Sequence, residues 1–214
     1  MRNPFFGIGV AVALSLVVCF TAVASDGTAA VEKLLKTKID NVLGILSQKE
    51  VTEETKRQQI MDVINPVINF SLMAKLTLGK ENWGRLTPDE RNRFVDMFVE
   101  RLKASYLNKI TLYSDQTVTY EKAVEESGKV QAPTYLETKD GRIEIIYKFY
   151  SADGQWQVYD VEIDGVSFIK SYRSQFDEVL KNGTVEDLFA QLKDIGQDGT
   201  PEKRDAQPET PAGK

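Results

Sequence analysis

No histidine occurs anywhere in these 214 residues, and that absence removes most of the chemistry open to a chain of this size. A Ser-His-Asp or Cys-His nucleophile needs an imidazole as its base, and an H-E-x-x-H zinc site needs two as ligands. The side chain whose ordinary pKa lies nearest neutrality is also missing as a proton shuttle. Carboxylate pairs of the kind that hydrolyse glycosides remain possible in principle. With 32 acidic residues, however, chance pairs are expected everywhere, so none stands out. No D-x-[DN]-x-[DN]-G calcium loop, P-loop or G-x-G-x-x-G turn is present. Neither a catalytic group nor a metal or cofactor is therefore expected. A net charge of −5 without a basic run argues against nucleic acid as a partner.

What the chain does carry is apolar residues at regular spacing, and two ends that read differently from the middle. Arg2 precedes an uncharged run from Phe5 to Val23, and Ala22-Val23-Ala24 supplies the small residues of a signal-peptidase site. The run is barely the roughly 20 residues that a membrane span needs. Cys19 follows Val18, where lipoprotein processing wants a small residue. A signal peptide over 1–24, cleaved on export, is the expectation, and no later apolar run is long enough to span a bilayer. From Gly196 to Lys214 the chain has three prolines, three glycines and several charges. Such a segment cannot bury enough surface to offset its ordering entropy, so 196–214 reads as a disordered tail. Residues 25–195 are sized for one domain.

Within that domain the first half has helical periodicity. Val31, Leu35, Ile39, Val42, Ile45 and Leu46 form one apolar stripe. A second helix starts near Thr52, whose Thr52-x-x-Thr55 pattern is a poor cap, and Pro66 interrupts it. Phe70 to Gly79 reads as a short helix closed by the glycine. Thr87-Pro88-Asp89-Glu90 is a capping box with proline at the first helical position, and it predicts a helix to about Leu112. Phe94, Val95, Phe98, Val99, Leu102 and Tyr106 make its apolar face.

The period then changes to two. Strands are predicted near 117–124, 130–138, 143–150 and 156–163, punctuated by Ser127-Gly128, Asp140-Gly141 and Asp153-Gly154. Alternation puts Ile143, Ile145, Tyr147 and Phe149 on one face of the third strand. On the fourth it sets Tyr159, Val161 and Ile163 against Asp160 and Glu162. After Asp164-Gly165, the segment Val166–Ile169 leads into a helix bearing Tyr172, Phe176, Val179 and Leu180. Gly183 stops it, and Thr184 starts a last helix with Val185, Leu188, Phe189 and Leu192. Helices, then a meander, then helices is the α+β pattern: an antiparallel, curved sheet of four to five strands with helices on one face.

Two blocks of residues carry a family resemblance. Asp153-Gly154-x-Trp156-x-Val158-Tyr159-Asp160-Val161-x-Ile163-x-Gly165-Val166-Ser167, followed by Tyr172-Arg173-Ser174-Gln175-Phe176, resembles the MlaC (toluene-tolerance) family of periplasmic phospholipid-binding proteins. Phe70-x-x-Met73-Ala74-x-Leu76-x-Leu78-Gly79, with Trp83 and Thr87-Pro88-x-x-Arg91-x-x-Phe94, is similar to the same pattern upstream. The resemblance spans roughly Ala29 to Lys193. It implies a periplasmic, non-enzymatic carrier that moves a diacyl lipid between an outer-membrane lipoprotein–porin complex and an inner-membrane ABC transporter. Its docking partner at the inner membrane would be the transporter's substrate-binding subunit, and its task would be outer-membrane lipid asymmetry. The tails would lie in an apolar cavity between sheet and helices, with phospholipid as cargo and the headgroup near solvent. Two chains of about 16 carbons would cost roughly 25 kcal/mol in water, at about 0.8 kcal/mol per methylene, so only a deep, nearly dry cavity holds them.

The lining residues this implies are Phe70, Met73, Leu76, Phe94, Phe98, Leu102, Tyr106, Ile143, Ile145, Tyr147, Phe149, Tyr159, Val161 and Ile163. For each of them, plain core packing is the competing reading, since a face lining a cavity and a face lining a filled core look alike in sequence. Arg173 either pairs with a carboxylate such as Asp160, the favoured reading, or meets an anionic headgroup. Two alternatives stay open for function: another hydrophobic cargo, such as a hopanoid, a sterol-like lipid or an aromatic compound, and a structural adaptor of a transporter that binds no lipid.

Overall fold

The computed structural model describes residues 26–110, 116–139 and 141–194. The expected signal segment and tail lie outside them. Four helices come first: α1 (Asp26–Leu46), α2 (Glu53–Ile64), α3 (Phe70–Arg85) and α4 (Pro88–Ile110). Six strands follow: β1 (Thr117–Tyr120), β2 (Val124–Glu126), β3 (Lys129–Thr138), β4 (Gly141–Ala152), β5 (Gln155–Ile163) and β6 (Val166–Ser167). Helices α5 (Phe168–Asn182) and α6 (Val185–Asp194) close the order. The architecture is the expected α+β one. None of the described helices is long and apolar enough to cross a membrane.

Local chemistry accounts for most boundaries. The Thr87 N–H and hydroxyl donate to Glu90 Oε2 at 2.7 and 2.9 Å, and the Glu90 N–H donates back to Thr87 Oγ1. The Thr87 backbone bond holds the Glu90 carboxyl below its ordinary pKa. Thr184 and Asp187 repeat the device at α6. Thr52 does better than its sequence suggests: its hydroxyl accepts from the Thr55 N–H at 3.2 Å and caps α2.

The sheet is antiparallel, in the order β1-β3-β4-β5-β6, with β2 also paired to β3. The strand expected over 117–124 is split. β1 and β2 share one edge of β3, and the break between them lets the Ala123 N–H donate to Glu32 of α1 at 2.8 Å. Six strands thus occupy five positions across the sheet. Ser127-Gly128, Asp153-Gly154 and Asp164-Gly165 all have positive φ at both residues, between 48 and 79°, the signature of two-residue hairpin turns. The third of these turns folds Val166–Ser167 back onto β5 as β6, where the sequence had suggested only a lead into the helix.

One irregularity changes which side chains face the helices. Lys148 pairs with Asp160 but Phe149 pairs with Val158, so Tyr159 is an extra residue in β5. Such a bulge reverses the alternation beyond it. The N–H and C=O of Val158 turn instead to the link between α2 and α3, bonding Val67 O at 2.8 Å and Asn69 N at 2.9 Å.

Three packed clusters hold the layers together. The largest joins α3, α4, α5 and α6 through Phe94, Phe98, Tyr172, Phe176 and their neighbours. A second sets Val31 and Leu35 of α1 on Val130, Ala132, Phe149 and Val158 of the sheet. The third gathers Leu46, Ile60, Met61 and Leu107.

Candidate functional site

The face of the sheet beneath the helices is mostly apolar and is covered unevenly. The pairing puts Val130, Ala132, Thr134 and Leu136 of β3 beside Phe149, Tyr147, Ile145 and Ile143 of β4, and Val161 and Ile163 of β5 continue the face. At one end, α1 and the α2–α3 link close over Val130, Ala132, Phe149 and Val158, which are buried. At the other end Leu136, Ile143 and Ile145 are half-buried and contribute to none of the three clusters. Tyr147, Val161 and Ile163 lie between, half-buried and touching the clusters only at their margins.

Tyr147 lies in the middle of this face, half-buried at the margin of the second cluster. Burial, and next the nearby Tyr120, push its phenol up to about 12. A hydrocarbon placed there would meet mainly apolar side chains, and the Thr134 hydroxyl is already used, donating to the Ile145 carbonyl at 3.1 Å.

Against that frame the expected lining residues separate into groups. Ile143, Ile145, Tyr147, Val161 and Ile163 share the half-covered face. Phe149 is on it too, but sealed by α1. Met73, Phe94, Phe98 and Leu102 are closed inside the largest cluster, where the Phe94 and Phe98 rings stack at 6.0 Å and Phe98 meets Tyr172 edge-on at 5.3 Å. Phe70, the first residue of α3, bridges the first and third clusters. Leu76 is half-buried on α3, and Tyr106 is half-buried with its ring stacked on Phe168 at 4.5 Å. Tyr159 departs from expectation. The bulge turns it to the opposite face, where its ring meets Tyr150 edge-on at 6.0 Å beneath the Lys129 ammonium. Leu136 was missed, although the alternation Val130-x-Ala132-x-Thr134-x-Leu136 places it with the others.

Arg173 does not pair with Asp160, the contact favoured for it. Its Nε donates to the Leu76 carbonyl at 3.0 Å, and Nη2 donates to the same oxygen. Asp160 is instead occupied by the Ser167 hydroxyl at 2.8 Å, the Ile169 N–H at 3.2 Å and Lys148 at 3.1 Å. The cause lies in Gly79, whose φ of 70° and ψ of 171° break the α3 ladder and orphan the Leu76 carbonyl. The guanidinium fills that gap, and a Cβ on residue 79 would lie 3.6 Å from it. Gly79→Ala should therefore cost about 1–3 kcal/mol, because a side chain is forced into a backbone region open essentially to glycine alone. A urea midpoint unchanged in Gly79→Ala would show that α3 tolerates a continuous helix here.

Among the described residues no group of three His, Cys, Asp or Glu side chains is placed to hold a metal ion. Lys148, Asp160 and Glu162 form an ion cluster on the solvent side of the sheet. Burial alone would lower the lysine pKa there, but bonds from the two carboxylates outweigh it and leave it raised. Two open grooves of about 380 Å³ flank α4, at the lower end of the size range for small-ligand pockets. One lies against α3 beside Lys75, Trp83 and Arg91; the other lies against α2 beside Arg57, Met61 and Lys103.

The MlaC protein family matches residues 36–194 of the chain. The toluene tolerance protein ttg2D of Pseudomonas putida is 25% identical over 151 residues, covering 66% of this chain and 70% of that protein. A phospholipid-binding protein from Ralstonia solanacearum, solved in complex with a phospholipid, superposes with a TM-score of 0.68 at 23% identity. That match covers 75% of this chain and 93% of the other, and what it establishes is a shared fold.

Proposed function

The chain belongs to the MlaC protein family, and from that premise we propose that it is a periplasmic, non-enzymatic carrier that takes up one diacyl phospholipid and shuttles it between two membranes. The observation that carries this reading is the half-covered apolar face of Leu136, Ile143, Ile145, Tyr147, Val161 and Ile163. Exposed to water, apolar surface of that kind is unfavourable at roughly 25 cal/mol per Å², and large apolar surfaces left uncovered mark binding sites. Acyl chains laid along the face would cover it. The acyl chains themselves would then leave the face without breaking a directional bond. The resident state must also be about as favourable as a bilayer, since a far tighter complex would never deliver.

The Ralstonia relative was solved with a phospholipid bound, which supports phospholipid as the class of cargo. Delivery to an inner-membrane ABC transporter through its substrate-binding subunit, exchange with an outer-membrane lipoprotein–porin complex, and export directed by the segment 1–24 belong to the same proposal. Native mass spectrometry of protein purified without detergent tests its core. A retained adduct with the mass of a diacyl phospholipid is expected. Ligand-free protein that also takes up no lipid from vesicles would overturn the proposal in favour of a structural adaptor.

A further inference from the structure

Helix α4 places polar groups where the interior should be apolar. Arg101 is 5% exposed and Ser105 7%, and both lie on the stripe that buries Phe94, Phe98 and Leu102. The Arg101 Nε and Nη1 and the Ser105 Oγ are buried without a hydrogen-bond partner among the described residues, while the Tyr106 hydroxyl, also buried, has Tyr172 within hydrogen-bonding reach. These groups are neighbours. The Arg101 charge acts on the Tyr106 hydroxyl, which sits beside Tyr172, and the Tyr106 ring is fixed by its stack on Phe168.

Buried polar groups left without partners are rare and call for an explanation. A guanidinium cannot escape the penalty by losing its proton. An unpaired cation at this depth costs far more than an apolar side chain of similar volume, which the fold could have used instead. The cluster also has a definite sign. Arginine only donates, and the two hydroxyls can donate as well, so the missing partner is rich in acceptors and negatively charged. Position completes the description: Tyr106 packs at the margin of the largest cluster, as do Val161 and Ile163 of the half-covered sheet face.

We propose that Arg101, assisted by Ser105 and Tyr106, is the seat for a phosphate oxyanion, the phosphodiester of the lipid cargo. The inference rests on the carrier reading and deepens it. The guanidinium offers two parallel N–H groups to two phosphate oxygens, while the acyl chains run from there along the sheet. The phosphate is thereby held below the surface, and the rest of the headgroup points outward. Cargo is then selected for carrying a phosphate, and the free protein bears the cost of an unsatisfied charge in exchange.

The test compares wild type, Arg101→Met and Tyr106→Phe, loaded from vesicles containing phosphatidylglycerol or diacylglycerol with the same acyl chains. Wild type is expected to retain the phospholipid at least about tenfold better than the diacylglycerol, as one charged hydrogen-bonding group allows. Arg101→Met should lose that preference by lowering phospholipid retention alone, and Tyr106→Phe should lose part of it. Thermal unfolding with inorganic phosphate alone identifies the source of the oxyanion. A stabilisation of wild type that is absent in Arg101→Met, in protein that loads neither lipid, keeps the anion seat and removes the carrier. Equal loading of both lipids by wild type and Arg101→Met removes the seat and keeps the carrier. If Arg101→Met fails to fold while Tyr106→Phe keeps full discrimination, the cluster is structural and the inference falls.

Discussion

Phe98→Ala should lower the stability of the domain by about 3–5 kcal/mol, the range for truncating a phenylalanine inside a packed core. Phe98 has no exposed surface, and its ring touches Phe94, Tyr172 and Phe176 at centroid distances of 6.0, 5.3 and 6.4 Å. Two helices, α4 and α5, meet on it. Edge-on contacts hold their crossing, so the void closes only in part and most of the cavity cost remains. Against a total stability of roughly 5–15 kcal/mol, such a loss takes the protein to the verge of unfolding. Urea denaturation would read it as a shift in midpoint at constant slope. A loss below about 1.5 kcal/mol would mean that the ring borders empty space and that the helical layer itself is hollow.

Ile145→Trp should do the reverse: spare the fold and block the cargo. Ile145 sits between Thr134 and Ile163 on the half-covered face, outside every packed cluster. An indole there has room to extend into the space that acyl chains would occupy. The expected result is at least a tenfold drop in lipid retained from vesicles, with stability changed by less than about 1.5 kcal/mol, as for a tolerated apolar exchange. Normal uptake by the folded variant would remove Ile145 from the floor of the site. Destabilisation by several kcal/mol would show that the protein's own side chains already fill the space. Taken together, the two variants separate packing from binding on residues that look equivalent in sequence.

The sheet and its limits were legible for local reasons. Asx-Gly and Ser-Gly pairs adopt left-handed turns because of their own backbone preferences, so the hairpins at Ser127-Gly128 and Asp153-Gly154 follow from dipeptides. The capping box at Thr87 works within four residues. Tyr159 was misplaced because a bulge depends on what the strand must pair with on each side. Here β5 pairs with β4 on one edge, and at Val158 it bonds the α2–α3 link on the other. Arg173 was misread for a similar reason. Its partner is a carbonyl orphaned by a break at Gly79, nearly a hundred residues away, and no pattern around the arginine records that. Arg101 did leave a trace, as a cation within an apolar stripe, but only burial distinguishes it from an arginine that reaches back to solvent.

Residue order alone determined that this is an α+β chain without a histidine to catalyse with, and which residues share a face of each helix or strand. Those are properties of short-range geometry: 3.6 residues per turn, two per pleat, a positive φ at glycine. Only the tertiary structure decided that Phe98 and Ile145, both apolar and both facing inward, have opposite fates. Whether a side chain is enclosed or left facing a gap depends on what stands across from it, and that is set by the docking of α1 over β2 and β3 and of α3 and α5 against β5. A helix that covers half of a sheet leaves no mark on the half it does not reach.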